Sequence, residues 1–271
     1  MTLPVPTIPM VNAGLLYVNS LGVSPGVINA DALSCATLSI AAGQARDSTD
    51  TNDITVSATV ILDPSTKGVV NGIDTGVLAA TTLYYVWAIG DSTNYNAGGS
   101  LLSLSSTSPL LPVGYDMARR IGTVLTNAAG TRFLNFIQRG NGSGRYTYYA
   151  VPLATLVAAG TSTAFADVVL TTWVPPTASH AIIVSALTAD AANTRTVVYS
   201  ADRSTTIAAA GSAGEIIQSS MGFAAASGIA SATLTVPCTS AAGVQTIQYA
   251  VPVVVGATAV AVSVSGFIDQ L

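Results

Sequence analysis

Three stretches of the sequence carry residue types that could do chemistry. Gly90-Asp91-Ser92 follows the apolar run Leu83 to Ile89, so Ser92 stands at the end of a strand, from which a hydroxyl attacks a carbonyl once an imidazole takes its proton. The acidic loop Asp47-Ser48-Thr49-Asp50-Thr51-Asn52-Asp53 offers oxygen ligands at a spacing that could wrap a calcium ion, but it lacks the Gly and the closing Glu of a helix-flanked calcium loop. The run Arg145-Tyr146-Thr147-Tyr148-Tyr149 puts Tyr146 and Tyr148 on one strand face, where two phenol rings beside Arg145 could stack on a sugar or on a partner surface. The same spacing also fits a core with hydroxyls at its rim, and that placement is the favoured one.

Each chemistry needs partners, and most are missing. The Gly-Asp-Ser triplet resembles the nucleophile block of GDSL-type esterases, which carry an Asp two residues before the catalytic His. The chain has one histidine, His180, and its context Thr177-Ala178-Ser179-His180 lacks that Asp. Ser92 therefore reads as a turn residue and His180, just after Pro175-Pro176, as a surface or interface imidazole opening a strand. Acid–base hydrolysis of a glycoside calls for two carboxylates, whereas the chain has a single glutamate, Glu215, and aspartates clustered in turns. No enzyme activity, cofactor or metal is expected, and Tyr146, Tyr148 and Arg145 remain as the candidate interaction surface.

The composition agrees with a protein made to be packed. Charged residues are 8% of the 271-residue chain against roughly 25% in an average soluble domain, and the hydrophobic share is 50%. Mean hydropathy is +0.57, yet no run reaches the roughly 20 apolar residues of a spanning helix. The best candidate, Ile247 to Ser265, is interrupted by Gln248, Pro252 and Gly256 and reads as two strands and a turn. Met1 to Pro6 has neither the basic nor the apolar region of an export signal, so a membrane barrel is not expected. A net charge of −4 with nine scattered cations offers no footprint for a phosphate backbone, so nucleic acid is not an expected partner. Ala, Ser, Thr, Asn and Gly dominate the rest, and surfaces of that kind bury well against other subunits because unpaired charges are costly to bury. Cys35 and Cys238 sit far apart in alternating stretches, which favours buried free thiols, with a single bridge between them left open.

The elements that position these residues are strands. Period-two alternation is clearest in Ile54 to Val60, Ala232 to Val236 and Val260 to Val264. Further β-type runs are Cys35–Ile40, Leu83–Ile89, Arg119–Leu125, Arg132–Gln138, Tyr146–Val151, Ala166–Thr172, Ala181–Leu187 and Thr194–Tyr199, with Gly, Pro, Asn and Ser between them. The expected fold is all-β: one or two antiparallel, jelly-roll-like sandwiches with an extended N-terminal arm. The arm takes 1–30, a first β-module 31–140, and a C-terminal sandwich module 145–271. The Gly-rich run Arg139 to Gly144 is the candidate boundary, or else the loop of a long hairpin that fuses the modules. Leu153 to Ala159 and Ile207 to Gly214 are Ala-rich enough for a turn or two of helix.

Residues 31–140 also carry a pattern of turns and strand starts: Gly43-Gln44-Ala45-Arg46-Asp47-Ser48, Asn52-Asp53-Ile54, Gly72-Ile73-Asp74-Thr75-Gly76, and Tyr84 through Gly90-Asp91-Ser92. Pro112-Val113-Gly114-Tyr115 and Arg119-Arg120-Ile121-Gly122 follow. This pattern resembles a module of virion structural and tail-fibre proteins of tailed bacteriophages. The resemblance implies a non-enzymatic subunit of a virion assembled in the host cytoplasm, a tail-fibre or appendage component supporting host attachment, with a capsid decoration or head-fibre protein as the alternative. Its partners would be other virion proteins, further copies of itself as a homotrimer, and a host-surface glycan. Within the module, Gly72, Gly76 and Gly90 fall where strands reverse, and Asp74 and Asp91 can cap turns. Arg119 and Arg120 point to opposite strand faces, so a core-facing one needs a carboxylate such as Asp74, Asp91 or Asp116.

Overall fold

A computed structural model describes residues 18–30, 33–140, 144–153, 155–189, 194–201, 216–222, 228–241, 244–251 and 258–271. Every regular element among them is a β-strand. The strands build two large hydrophobic cores, one from residues between Val18 and Phe136 and the other from residues between Leu125 and Phe267, and a smaller one around Tyr85 and Trp87.

In the first unit an antiparallel sheet centred on one strand carries the core. Leu83–Asp91 pairs antiparallel with Asn94–Ser103 on one side and with Met117–Leu125 on the other. Tyr84, Val86 and Ala88 point to one face, against Leu38, Ile40, Ala45, Ile54, Val56 and Leu62 from small sheets formed by residues 18–62. Tyr85, Trp87 and Ile89 point to the other face, where Leu101, Val70, Leu111 and Tyr115 cover them. A strand buried on both faces has no reason to alternate, and Leu-Tyr-Tyr-Val-Trp-Ala-Ile does not. The alternating run from Ile54 is broken into Asp53–Val56 and Val60–Leu62.

In the second unit two sheets face each other. Leaving aside the short Thr239–Ala241, which pairs with Val244–Ala250, eight described strands follow in chain order: Thr155–Gly160, Ala166–Val169, Ala178–Ala189, Thr194–Ser200, Ile216–Gly222, Gly228–Pro237, Val244–Ala250 and Ala259–Gln270. Counted in that order, one sheet runs 1-8-3-6 and the other 2-7-4-5. The inward residues are those of the alternation: Ile183, Leu187, Val260, Val262, Val264 and Phe267 from the first sheet meet Val168, Val197, Tyr199 and Ile247 from the second. Gly144–Tyr149 and Thr155–Gly160 lie end to end along the same edge of Ala259–Gln270.

Several expectations change. Residues 18–30 are not a free arm: Val18–Ser20 and Val23–Pro25 are strands, and Leu21 and Val23 are buried in the first core. The part of the arm before Val18 lies outside the described residues. The Arg139–Gly144 run does not separate modules, because Phe136–Arg139 pairs with Gly144–Tyr149 as a hairpin that joins the second unit's sheet. Thr155–Gly160 is a strand instead of a helical turn, since pairing with Ser263, Val262 and Val260 outweighs the helical preference of its alanines. The other such segment, Ile207 to Gly214, lies outside the described residues. Gly90 sits within a strand instead of at a reversal, whereas Gly76, at φ 74°, takes the left-handed turn conformation.

Both cysteines are free thiols. Burial raises the pKa of each to about 11. A raised folded-state value favours the native state below the ordinary thiol range, and that contribution is lost as pH climbs to the folded value. Stability is therefore expected to fall between about pH 9 and 11. Iodoacetamide should label neither thiol of the native protein at pH 8 at the rate it labels the urea-unfolded chain; equal rates would contradict the burial.

One close approach needs glycine. A Cβ on Gly266 would lie 2.1 Å from the Thr147 carbonyl oxygen of the paired strand. Gly266→Ala must part the strands Gly144–Tyr149 and Ala259–Gln270, an overpacking cost of about 1–3 kcal/mol. A urea titration reads this directly, and an unchanged midpoint would rule out the approach.

Candidate interaction face

The strand Gly144–Tyr149 divides its side chains strictly between two faces. Arg145, Thr147 and Tyr149 turn inward, with Arg145 and Thr147 each 1% exposed, while Tyr146 is 40% exposed and Tyr148 half-buried. The core placement therefore fails for Tyr146 and Tyr148: the tyrosine that this strand gives to the core is Tyr149, whose ring meets Phe267 edge-on at 6.1 Å. Outside, the Tyr146 and Tyr148 rings lie 6.5 Å apart and within 10° of parallel.

Strand register extends this pair into a patch. Arg139, Tyr146, Ile268 and His180 form one row across four strands, and Ile137, Tyr148, Gly266 and Ile182 form the next. Ile137 is 54% exposed. The patch thus carries two aromatic rings, an exposed aliphatic side chain, an exposed guanidinium and a half-buried imidazole. Such a face can stack, exclude water and donate hydrogen bonds.

Arg145 does not belong to that face. Its Nη1 donates to the Leu21 carbonyl and to Gln138 Oε1, both at 2.8 Å, and its Nη2 donates to the Ser20 carbonyl at 2.6 Å. Burial pulls its pKa down to about 10, opposed by the neighbouring charge of Asp269. It is a clamp between the two units.

A second buried polar group lies at the same junction. Asp269, 1% exposed, accepts from Arg120 Nη1 at 2.8 and 2.9 Å, from the Thr123 hydroxyl at 2.6 Å and from the Thr177 hydroxyl at 2.7 Å. Arg120 also lies 5.8 Å over the Tyr85 ring. Arg119 and Arg120 do face opposite ways, yet both are buried, because both faces of their sheet are covered. Their carboxylates are Asp50, 3.6 Å from Arg119, and Asp269, instead of Asp74, Asp91 or Asp116. No local spacing signals the Arg120–Asp269 pair, which spans 149 residues.

The remaining candidates are held in place by structural contacts. Ser92 donates its hydroxyl to Asp116, and the same carboxylate accepts from the Ser92 backbone N–H at 2.8 Å. His180 lies in the second unit, with Nδ1 2.9 Å from the Ser179 hydroxyl. Nucleophile and imidazole are not brought together. In the acidic loop, Asp47 Oδ1 accepts from the N–H groups of Thr51 at 2.9 Å and Asn52 at 3.3 Å, and Oδ2 from the Thr49 hydroxyl at 2.8 Å. Burial works against its ionisation, but these hydrogen bonds prevail and hold the carboxyl below its ordinary range. Asp50 and Asp53 are turned toward Arg119 and Arg46. Asp91 caps the turn at Thr93, as its type suggests. The chain matches no protein-family model, no curated protein and no solved structure, so it is assigned to no family here.

Proposed function

We propose that this chain is a non-enzymatic structural subunit of a tailed-bacteriophage virion, a tail-fibre or appendage component that supports host adsorption. The observation that carries this is the second unit's strand order, 1-8-3-6 over 2-7-4-5. It matches the wrap of a jelly-roll sandwich, an architecture used by virus coat subunits and by lectins. Fold alone does not fix function. Three further features support the structural role: very few charges, large exposed apolar side chains such as Val27, Val77, Leu110, Val113 and Ile229, and the structural use of Ser92 and the aspartates. The lectin-like use of the same architecture agrees with a sugar-contacting role for Tyr146 and Tyr148, with a glycan of the host surface as partner. Location on the capsid as a decoration or head-fibre protein is the second reading, favoured by the same exposed apolar side chains.

The expected result in a phage carrying variants of this chain is a clean split. Ser92→Ala leaves adsorption to host cells unchanged, because its hydroxyl only holds a turn against Asp116. Tyr146→Ala with Tyr148→Ala reduces adsorption at least tenfold while particles still assemble. Loss of infectivity from Ser92→Ala in particles that assemble normally would contradict the non-enzymatic assignment.

A further inference from the structure

Sheet edges present unpaired N–H and C=O groups to any extended strand, and proteins ordinarily shorten, charge or bulge them. Most described edges of this protein follow that rule. Ala166–Val169 is four residues long and carries Asp167, Phe136–Arg139 is four residues long and ends in Arg139, and Met117–Leu125 carries two arginines. Thr155–Gly160 is uncharged, but its register shifts twice.

Gly228–Pro237 does not follow it. Outermost of its sheet among the described strands, it has ten residues, Gly-Ile-Ala-Ser-Ala-Thr-Leu-Thr-Val-Pro, with no charge and no proline before the last position. It pairs with Ala178–Ala189 through ten consecutive positions without a shift, so the edge is straight. Ile229, Ser231, Thr233 and Thr235 face outward, Ile229 at 74% exposure, while Ala230, Ala232 and Leu234 pack toward the core. The facing sheet ends on the same flank in Ile216–Gly222, which is also uncharged.

We propose that Gly228–Pro237 pairs antiparallel with the same strand of a second copy, continuing the sheet across a twofold axis. The occupant follows from the edge itself. An uncharged straight edge complements an identical one, and an antiparallel pair of identical strands closes as a dimer. Outward residues must stay on one face, so the pairing centres on Thr233 or on its neighbour Ala232. Thr233 then lies directly or diagonally opposite its own mate. A strand of ten residues at about 3.3 Å each, across a two-layer sandwich about 20 Å thick, covers roughly 650 Å² per copy, close to the ~800 Å² of a standard interface. The twofold replaces the threefold assembly expected from phage appendages. It stands on this edge alone and holds wherever the protein resides.

Light scattering of the purified chain, alone and in mixtures, tests it. The wild-type protein should have twice the 27.2 kDa chain mass. Thr233→Lys and Thr233→Glu, at an exposed position, should keep the wild-type circular dichroism and melting temperature at low concentration, and each should halve the mass by setting like charges against each other. Mixed in equal amounts, the two variants should recover the dimer. A monomeric wild-type protein, a trimer, or a dimer that neither charge disturbs would overturn the proposal.

Discussion

Asp269→Ala is expected to destabilise the protein by about 3–5 kcal/mol, because it leaves a buried guanidinium without its carboxylate. Arg120 loses both hydrogen bonds to the carboxylate, and Thr123 and Thr177 each lose an acceptor. The residue sits between the two cores, so the loss should also separate their unfolding. A single urea transition in the wild-type protein is expected to split or broaden in the variant. Asp269→Asn, which keeps an acceptor oxygen but not the charge, should fall between the two. A loss below about 1 kcal/mol would mean that the junction is wet and that the pair behaves as a surface ion pair.

Arg145→Ala is expected to cost about 2–4 kcal/mol and to loosen the first described strand. Ser20 and Leu21 are consecutive non-glycine residues in the left-handed region, at φ 65° and 49°. Such a backbone is unfavourable by itself and persists only where the surroundings hold it. Arg145 holds it through the two carbonyls, and without the guanidinium three acceptors, two of them only partly buried, each lose a charged donor at about 1–3 kcal/mol. Part of this is offset because a desolvated charge is removed as well. Arg145→Lys should not rescue, since an ammonium cannot reach the same acceptors in a planar fork. Hydrogen exchange at the Val23 amide, which donates to Gln138 Oε1 at 2.9 Å, should accelerate in both variants. Unchanged exchange there would show that the turn holds itself.

Strands were legible in the sequence wherever one face is buried and the other solvated, as in Ala259–Gln270, whose burial alternates over most of its length. Their partners were not, because the order 1-8-3-6 depends on pairings between residues far apart in the chain, which period-two patterns do not encode. The same limit governed the candidate face. Alternation separates Arg145, Thr147 and Tyr149 from Tyr146 and Tyr148, but charge and ring size suggest the opposite choice of inner face. The carbonyls of Ser20 and Leu21, more than 120 residues away in sequence, decide it. Gly-rich composition likewise marked Arg139 to Gly144 as a loop without telling a linker from a hairpin; the pairing of Phe136–Arg139 with Gly144–Tyr149 does.

The measurement that bears most directly on the proposed virion assignment is electron cryomicroscopy, with mass spectrometry, of phage particles purified from cells that express this chain. Repeated density is expected at the tail or its appendages, into which both β-units fit with the Tyr146–Tyr148 face turned away from the particle body. Intact infectious particles in which no density accommodates the chain, and from which mass spectrometry recovers none of its peptides, would contradict it.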